Sequence, residues 1–322
     1  MNTFFRSWVR RWDHFWFAPT ETYHLALFRV VLALTLLTMY SIRIVDLDFF
    51  YGKNAFLPGS NGWDLLPSNM IPLWRWFPES PAITYVLHVA LLVGLVLLLL
   101  GLGGRLITFA LYILQLGFFQ QNFAVSYGAD VIAFHWLLYL SLTRHNDHLN
   151  VLNLFRKRAA IRLRGGATRV GLRLIQIQVA LIYGFSGFEK LKGGPWWDGS
   201  AVWVTLSSMD LVDYDFSFLS QLPLLAFLAS FLPLIWEIYF PVLIIQTGWR
   251  PWVLGFGVMF HFMIGWIMHL PFFGLVMTSS YFVFFNSVAI ERRVKNFLNP
   301  LRLRGFVLNW KSNFPRVNAN DR

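Results

Sequence analysis

The chain has 322 residues and no cysteine. That removes disulfides, thiol redox chemistry, iron–sulfur clusters and cysteine-ligated zinc. Charge is scarce: 13% of residues are Asp, Glu, Lys or Arg, against 57% hydrophobic, and mean hydropathy is +0.53. A soluble domain carries about 25% charged residues. No phosphate-cradling glycine loop and no Gly-x-Ser-x-Gly nucleophile elbow occurs. No internal repeat or low-complexity tract is visible. No cleavable leader is expected, because Arg6, Arg10 and Arg11 alternate with aromatics and the first apolar run starts only near Leu25. His145, Asp147 and His148 lie close in sequence, but their loop is basic and lacks a carboxylate cluster to complete a ligand set, so no metal is expected.

Long apolar runs dominate what remains. Eight are read as membrane spans: about 25–45, 82–102, 106–124, 129–143, 172–190, 224–246, 252–268 and 271–290. The fourth and seventh are the shortest. The expected fold is all-α, a polytopic transmembrane helical bundle of about eight spans forming a single domain over 1–322. Segments 46–81 and 191–223 are rich in Gly, Pro, Trp and Asp and are expected to cap one end with loops and short helices.

The net charge of +11 is distributed like a topology signal rather than a nucleic-acid footprint. With eight spans, Arg6, Arg10, Arg11, Arg105, the arginines of 144–173, Arg250 and the basic tail 291–322 fall on one side. The other side holds Lys53, Arg75, Lys190 and Lys192, together with most of the acids. Both termini are therefore expected in the cytoplasm and the protein in a bacterial cytoplasmic membrane. Residues 1–20 read as an interfacial amphipathic helix, with Phe5, Trp8, Trp12, Phe15 and Trp16 at near-helical spacing. The expected partner of these basic faces is the lipid bilayer.

Few ionisable residues lie within or beside the spans, and each has two readings. Lys190 ends the fifth span: it either snorkels to the interface or, partly desolvated, serves as a base. Lys192, two residues further out, is expected in solvent. Glu237 lies mid-span in the sixth, where a carboxyl ties helices together, pairs with Lys190 or Arg29, or shuttles protons. His261 lies in the seventh span and His269 eight residues on, expected on the same helical face; an imidazole there is a core hydrogen-bonding group or a relay. Tyr127, Asp130 and His135 form a second polar patch in the fourth span, with Tyr127 and Asp130 near its external end. Trp63, Trp196, Trp197 and Trp203 either form an interfacial belt or stack a flat lipid ring.

The run Gly187-Phe-Glu-Lys190-Leu followed by Trp197-Asp-Gly-Ser-Ala-Val202 resembles a signature of the HTTM (horizontally transferred transmembrane) family, which contains the membrane domain of vitamin K-dependent gamma-carboxylase. Three weaker pieces look similar, in the same order along the chain as in that family: Arg11-Trp-Asp-His-Phe-Trp-Phe-Ala-Pro19 with Leu27-Phe-Arg-Val30, then Trp236-Glu237-Ile-Tyr-Phe-Pro241, then Phe260-His261-Phe-Met with Met268-His-Leu-Pro-Phe272. The resemblance implies a reduced quinone of vitamin K or menaquinol type as cofactor, with Lys190 as the base that deprotonates it. On that reading Glu237 and His261 complete the catalytic set. Arg29, Trp197 and His269 hold the cofactor, and Tyr127, Asp130 and Asp198 face the substrate, a peptide or another acidic carbon centre. The alternative is a non-catalytic membrane subunit that holds a peptide or partner protein during maturation or export.

Overall fold

The computed structural model describes residues 3–52, 55, 73, 80–155, 165–208 and 211–298. Trp63, the arginine-rich stretch 156–164 and the tail beyond 298 lie outside the described residues. Helices account for all the regular structure described. The ten longest are α1 (Thr3–Phe17), α2 (Tyr23–Arg43), α3 (Pro81–Leu99), α4 (Gly104–Gln121), α5 (Gly128–Ser141), α6 (Ala167–Lys190), α7 (Pro223–Leu243), α8 (Arg250–Ile267), α9 (Pro271–Ser279) and α10 (Ser287–Leu298). Short helical turns at Gly194–Trp197, Ala201–Leu206 and Ser217–Gln221 follow α6.

Local chemistry sets these boundaries. Pro81, Pro223, Pro251 and Pro271 stand in the first helical turn of α3, α7, α8 and α9, where a missing N–H costs nothing. Gly101 and Gly103, both with positive φ, turn the chain between α3 and α4. A side chain at Gly101 would strike the Arg29 guanidinium. Burial follows the helical period. On α2 Leu25, Phe28, Leu32, Leu36 and Met39 face the core; on α6 Leu172, Ile175, Val179, Tyr183 and Gly187 do.

Helices occupy every one of the eight expected spans. Four of them, α2, α3, α6 and α7, are long and apolar enough to cross a membrane by themselves. The expected eighth span, 271–290, is not one rod. α9 tightens into a 3₁₀ stretch, Ser280–Phe284, and α10 then departs at 113°. α2 to α5 pack as a group, α6 packs along α7, and the α8–α9 hairpin closes onto them, with α9 against α2 and α5. α7 and α8 touch only sparsely. α1 docks on the start of α6, where Arg169 Nε and Arg173 Nε both donate to the Phe15 carbonyl. Its Trp8 and Trp12 rings stack and stay exposed.

Candidate functional site: an apolar cavity with an ion pair in its wall

The loose contact between α7 and α8 leaves a cavity of about 570 Å³, bounded also by α6, α9 and the turns after α6. Its walls are largely apolar, with Phe256, Phe260 and Phe273 and four methionines, Met259, Met263, Met268 and Met277. Size and lining suit an amphiphile or a flat ring, and methionines let such a wall adapt to irregular shapes.

Three residues of α6, Tyr183, Ser186 and Lys190, recur at helical spacing and present their polar groups to this space. Lys190 Nζ donates to Glu237 Oε2 at 2.5 Å and to Ser186 Oγ at 2.7 Å. Ser186 Oγ in turn donates to Glu237 Oε1 at 3.2 Å. Trp196 places its ring 5.5 Å from Nζ, which leaves the ammonium enclosed on three sides. The Glu237 side chain is 4% exposed and that of Lys190 23%. The carboxylate is thus the deeper member of the pair.

Backbone features make this contact achievable. Gly187 lets α6 approach α7: a Cβ there would lie 2.8 Å from Ile238 Cγ1 and 2.9 Å from Ile238 N. Pro233 and Pro241 bracket Glu237 one turn away on each side. Pro241 has no N–H to donate to the Glu237 carbonyl, so α7 lacks a helical hydrogen bond at the residue that carries the acid. Deeper in the wall, Tyr183 OH lies 2.7 Å from His261 Nε2 and 2.5 Å from Tyr281 OH. Gly257, one turn before His261, leaves the room that the Tyr281 hydroxyl fills.

Lys190, Glu237 and His261, residues from three different helices, therefore share one cavity. The other expected site residues lie elsewhere. Arg29 does not pair with Glu237: it is buried at the opposite end of the bundle, donating to the carbonyls of His145 and Leu149. His269 does not share a face with His261, because α8 ends at Ile267 and Pro271 starts the next helix. His269 instead has positive φ, is 53% exposed and pairs with Asp213 at 3.0 Å. Asp130 stands in the first turn of α5, where Arg43 engages both its oxygens at 2.7 and 2.8 Å, and Tyr40 OH donates to it as well. Tyr127 lies beside that pair, where burial, then the Asp130 charge, push its phenol up to about 12. Trp197 is exposed and donates to the Leu191 carbonyl; Trp196, its neighbour, is the tryptophan in the cavity wall. Asp198 is exposed too, and the Ser200 hydroxyl and N–H hold its carboxyl below the usual range.

Lys192 is solvated and paired with Glu189, as its position suggested. His135 turns back onto its own helix, with Nδ1 2.6 Å from the Val131 carbonyl. His145 is fully buried against Thr108, and burial, followed by the nearby Arg29 and Arg105 charges, lowers its imidazole to about 3. Among the described residues no group of three or more His, Asp or Glu is placed to hold a metal. Tyr183, Ser186 and Tyr281 are site residues that the sequence reading passed over. The spacing of the first two from Lys190 was available as a signal, whereas Tyr281 sits in a 3₁₀ stretch with no local pattern to mark it. No protein-family model, curated protein or solved structure matches this chain.

Proposed function

We propose that the protein is an integral membrane enzyme of the bacterial cytoplasmic membrane, with both termini cytoplasmic and eight crossings. It draws an amphiphile of quinol type from the bilayer and uses Lys190 as the base. One observation carries this reading: a lysine, a carboxylic acid and a histidine from three helices converge on one apolar cavity large enough for a lipid ring. The residues present fit a reduced quinone of vitamin K or menaquinol type, since the wall combines aromatic and methionine surface with two separate hydrogen-bonding clusters. When bound, such a group supplies an acidic ring hydroxyl and reducing power. The chain's own part is to exclude water, to orient the ring between the lysine and the Tyr183–His261 cluster, and to accept a proton at Lys190 Nζ once that nitrogen has passed its own proton to Glu237. Ser186 and Glu237 fix the position of that nitrogen. The substrate that is finally modified is a peptide or another acidic carbon centre.

The test is turnover of a reduced naphthoquinone by the protein in lipid nanodiscs, with oxygen present and quinone epoxide read by mass spectrometry. Lys190→Ala is expected to lower the rate at least about 100-fold. Equal turnover by a folded Lys190→Ala protein would sink the assignment. A second reading, a non-catalytic membrane subunit for peptide maturation or export, draws on the two hydrogen bonds of Lys190, of which the one to Glu237 also ties α6 to α7. Absence of any quinol turnover, with a stoichiometric partner co-purifying, would favour it.

A further inference from the structure

The Lys190–Glu237 pair is close to neutral as a unit and sits in a wall otherwise poor in charge. Tyr183 and Ser186 of α6, Trp196 and Thr205 of the turns after it, His261 of α8 and Tyr281 of the 3₁₀ stretch are the other polar groups on or just behind this wall. The Lys192–Glu189 and His269–Asp213 pairs lie further out, exposed and already paired. An anion entering this cavity would meet one ammonium and one carboxylate. Left as it is, the site would then hold an uncompensated negative charge in apolar surroundings, which is strongly unfavourable. One rearrangement removes that cost. Glu237 takes up a proton, and Lys190 passes its hydrogen bond from Glu237 to the newcomer.

We infer that the cavity binds weak-acid amphiphiles, an apolar body with a single carboxylate or phenolate head, and that each binding event places one proton on Glu237. This rests on the cavity being an amphiphile site and not on quinol chemistry. The atoms balance simply. An acid already ionised in water enters as its oxyanion, a proton from solvent forms an O–H bond on a Glu237 carboxylate oxygen, and the oxyanion accepts from Lys190 Nζ and the Ser186 hydroxyl. Nothing is oxidised or reduced. Geometry assigns the two roles. Lys190 is nearer the opening and can serve either partner, while Glu237, the deeper group, already has one oxygen on the ammonium and the other on Ser186. Releasing Lys190 leaves Glu237 a protonated acid that can still bond to Ser186. That form is the ordinary state of a buried carboxyl without a counter-charge.

Dodecanoate is a suitable probe. Its binding to the full chain in nanodiscs is measured by titration calorimetry in phosphate and in Tris, with empty nanodiscs subtracted; the difference in heat gives protons taken up. Uptake near one per dodecanoate is expected, with a dissociation constant that rises about tenfold per pH unit above neutrality. In Glu237→Gln the uptake should vanish and the affinity become independent of pH, because Lys190 then meets the anion directly. Lys190→Met should lose dodecanoate binding, and the uptake measured on the wild type keeps the question decidable if either variant does not fold. Uptake near zero in the wild type, or unchanged uptake in Glu237→Gln, overturns the inference. Proton-linked binding without quinol turnover would retire only the quinol reading, whereas turnover without proton uptake would retire only this one.

Discussion

At the scale of single residues, the Lys190–Glu237 pair sets burial against charge inside the candidate site. Taking one partner away leaves the other in a poor environment, more so for the 4% exposed acid than for the 23% exposed lysine. Lys190→Met is therefore expected to cost about 3 kcal/mol of stability and Glu237→Gln about 1 kcal/mol. The double variant should cost less than the sum, since it leaves no orphaned charge. Unfolding titrations of the four proteins in one detergent would measure the coupling; strict additivity would mean that the two groups do not interact in solution. The pair was partly legible in the sequence. A carboxyl in the middle of an apolar run needs a partner, and Lys190 was one of two candidates. The choice against Arg29 needed three dimensions, because Arg29 finds its compensation in backbone carbonyls that no sequence pattern announces.

The elements themselves were readable because apolar length and periodicity are strong signals, and proline fixes where several helices begin. The seam at 267–271 separates two apolar runs and also ends the helical face of His261, which hydropathy alone does not show, so His269 stands off that face. The bend after Phe284 escaped notice because hydropathy continues across it while backbone direction does not. α1 carries its own test. It is held to α6 by Arg169 and Arg173, whose guanidinium groups donate to the Phe15 carbonyl; Arg173 also lies 4.3 Å from the Phe15 ring. The carbonyl is one of those left free at a helix C-terminus, and cations there are favourable. Arg169→Gln combined with Arg173→Gln should free α1 and speed tryptic cleavage at Arg10 and Arg11 about tenfold. Unchanged cleavage would show that the helix is held by other contacts.

For the whole molecule, the first and last described segments meet at one end, where the Tyr23 N–H donates to Ser287 Oγ at 3.0 Å. The proposed orientation puts that end in the cytoplasm. A chain without cysteine makes the test direct. A membrane-impermeant maleimide applied to intact cells should label Phe218→Cys and spare Trp8→Cys; the reverse pattern would invert the topology. The opposite end is fastened by two ion pairs, Arg43 with Asp130 and Lys190 with Glu237, each joining helices that are separate in the chain. This has a consequence for biogenesis. On the proposed membrane reading, the ribosome delivers Arg43 long before Asp130, and Lys190 before Glu237, so each cation enters the insertion machinery without its counter-ion. α6 cannot settle at its final depth until α7 has followed it, which makes these two helices, with the turns between them, the natural unit handed over to the lipid.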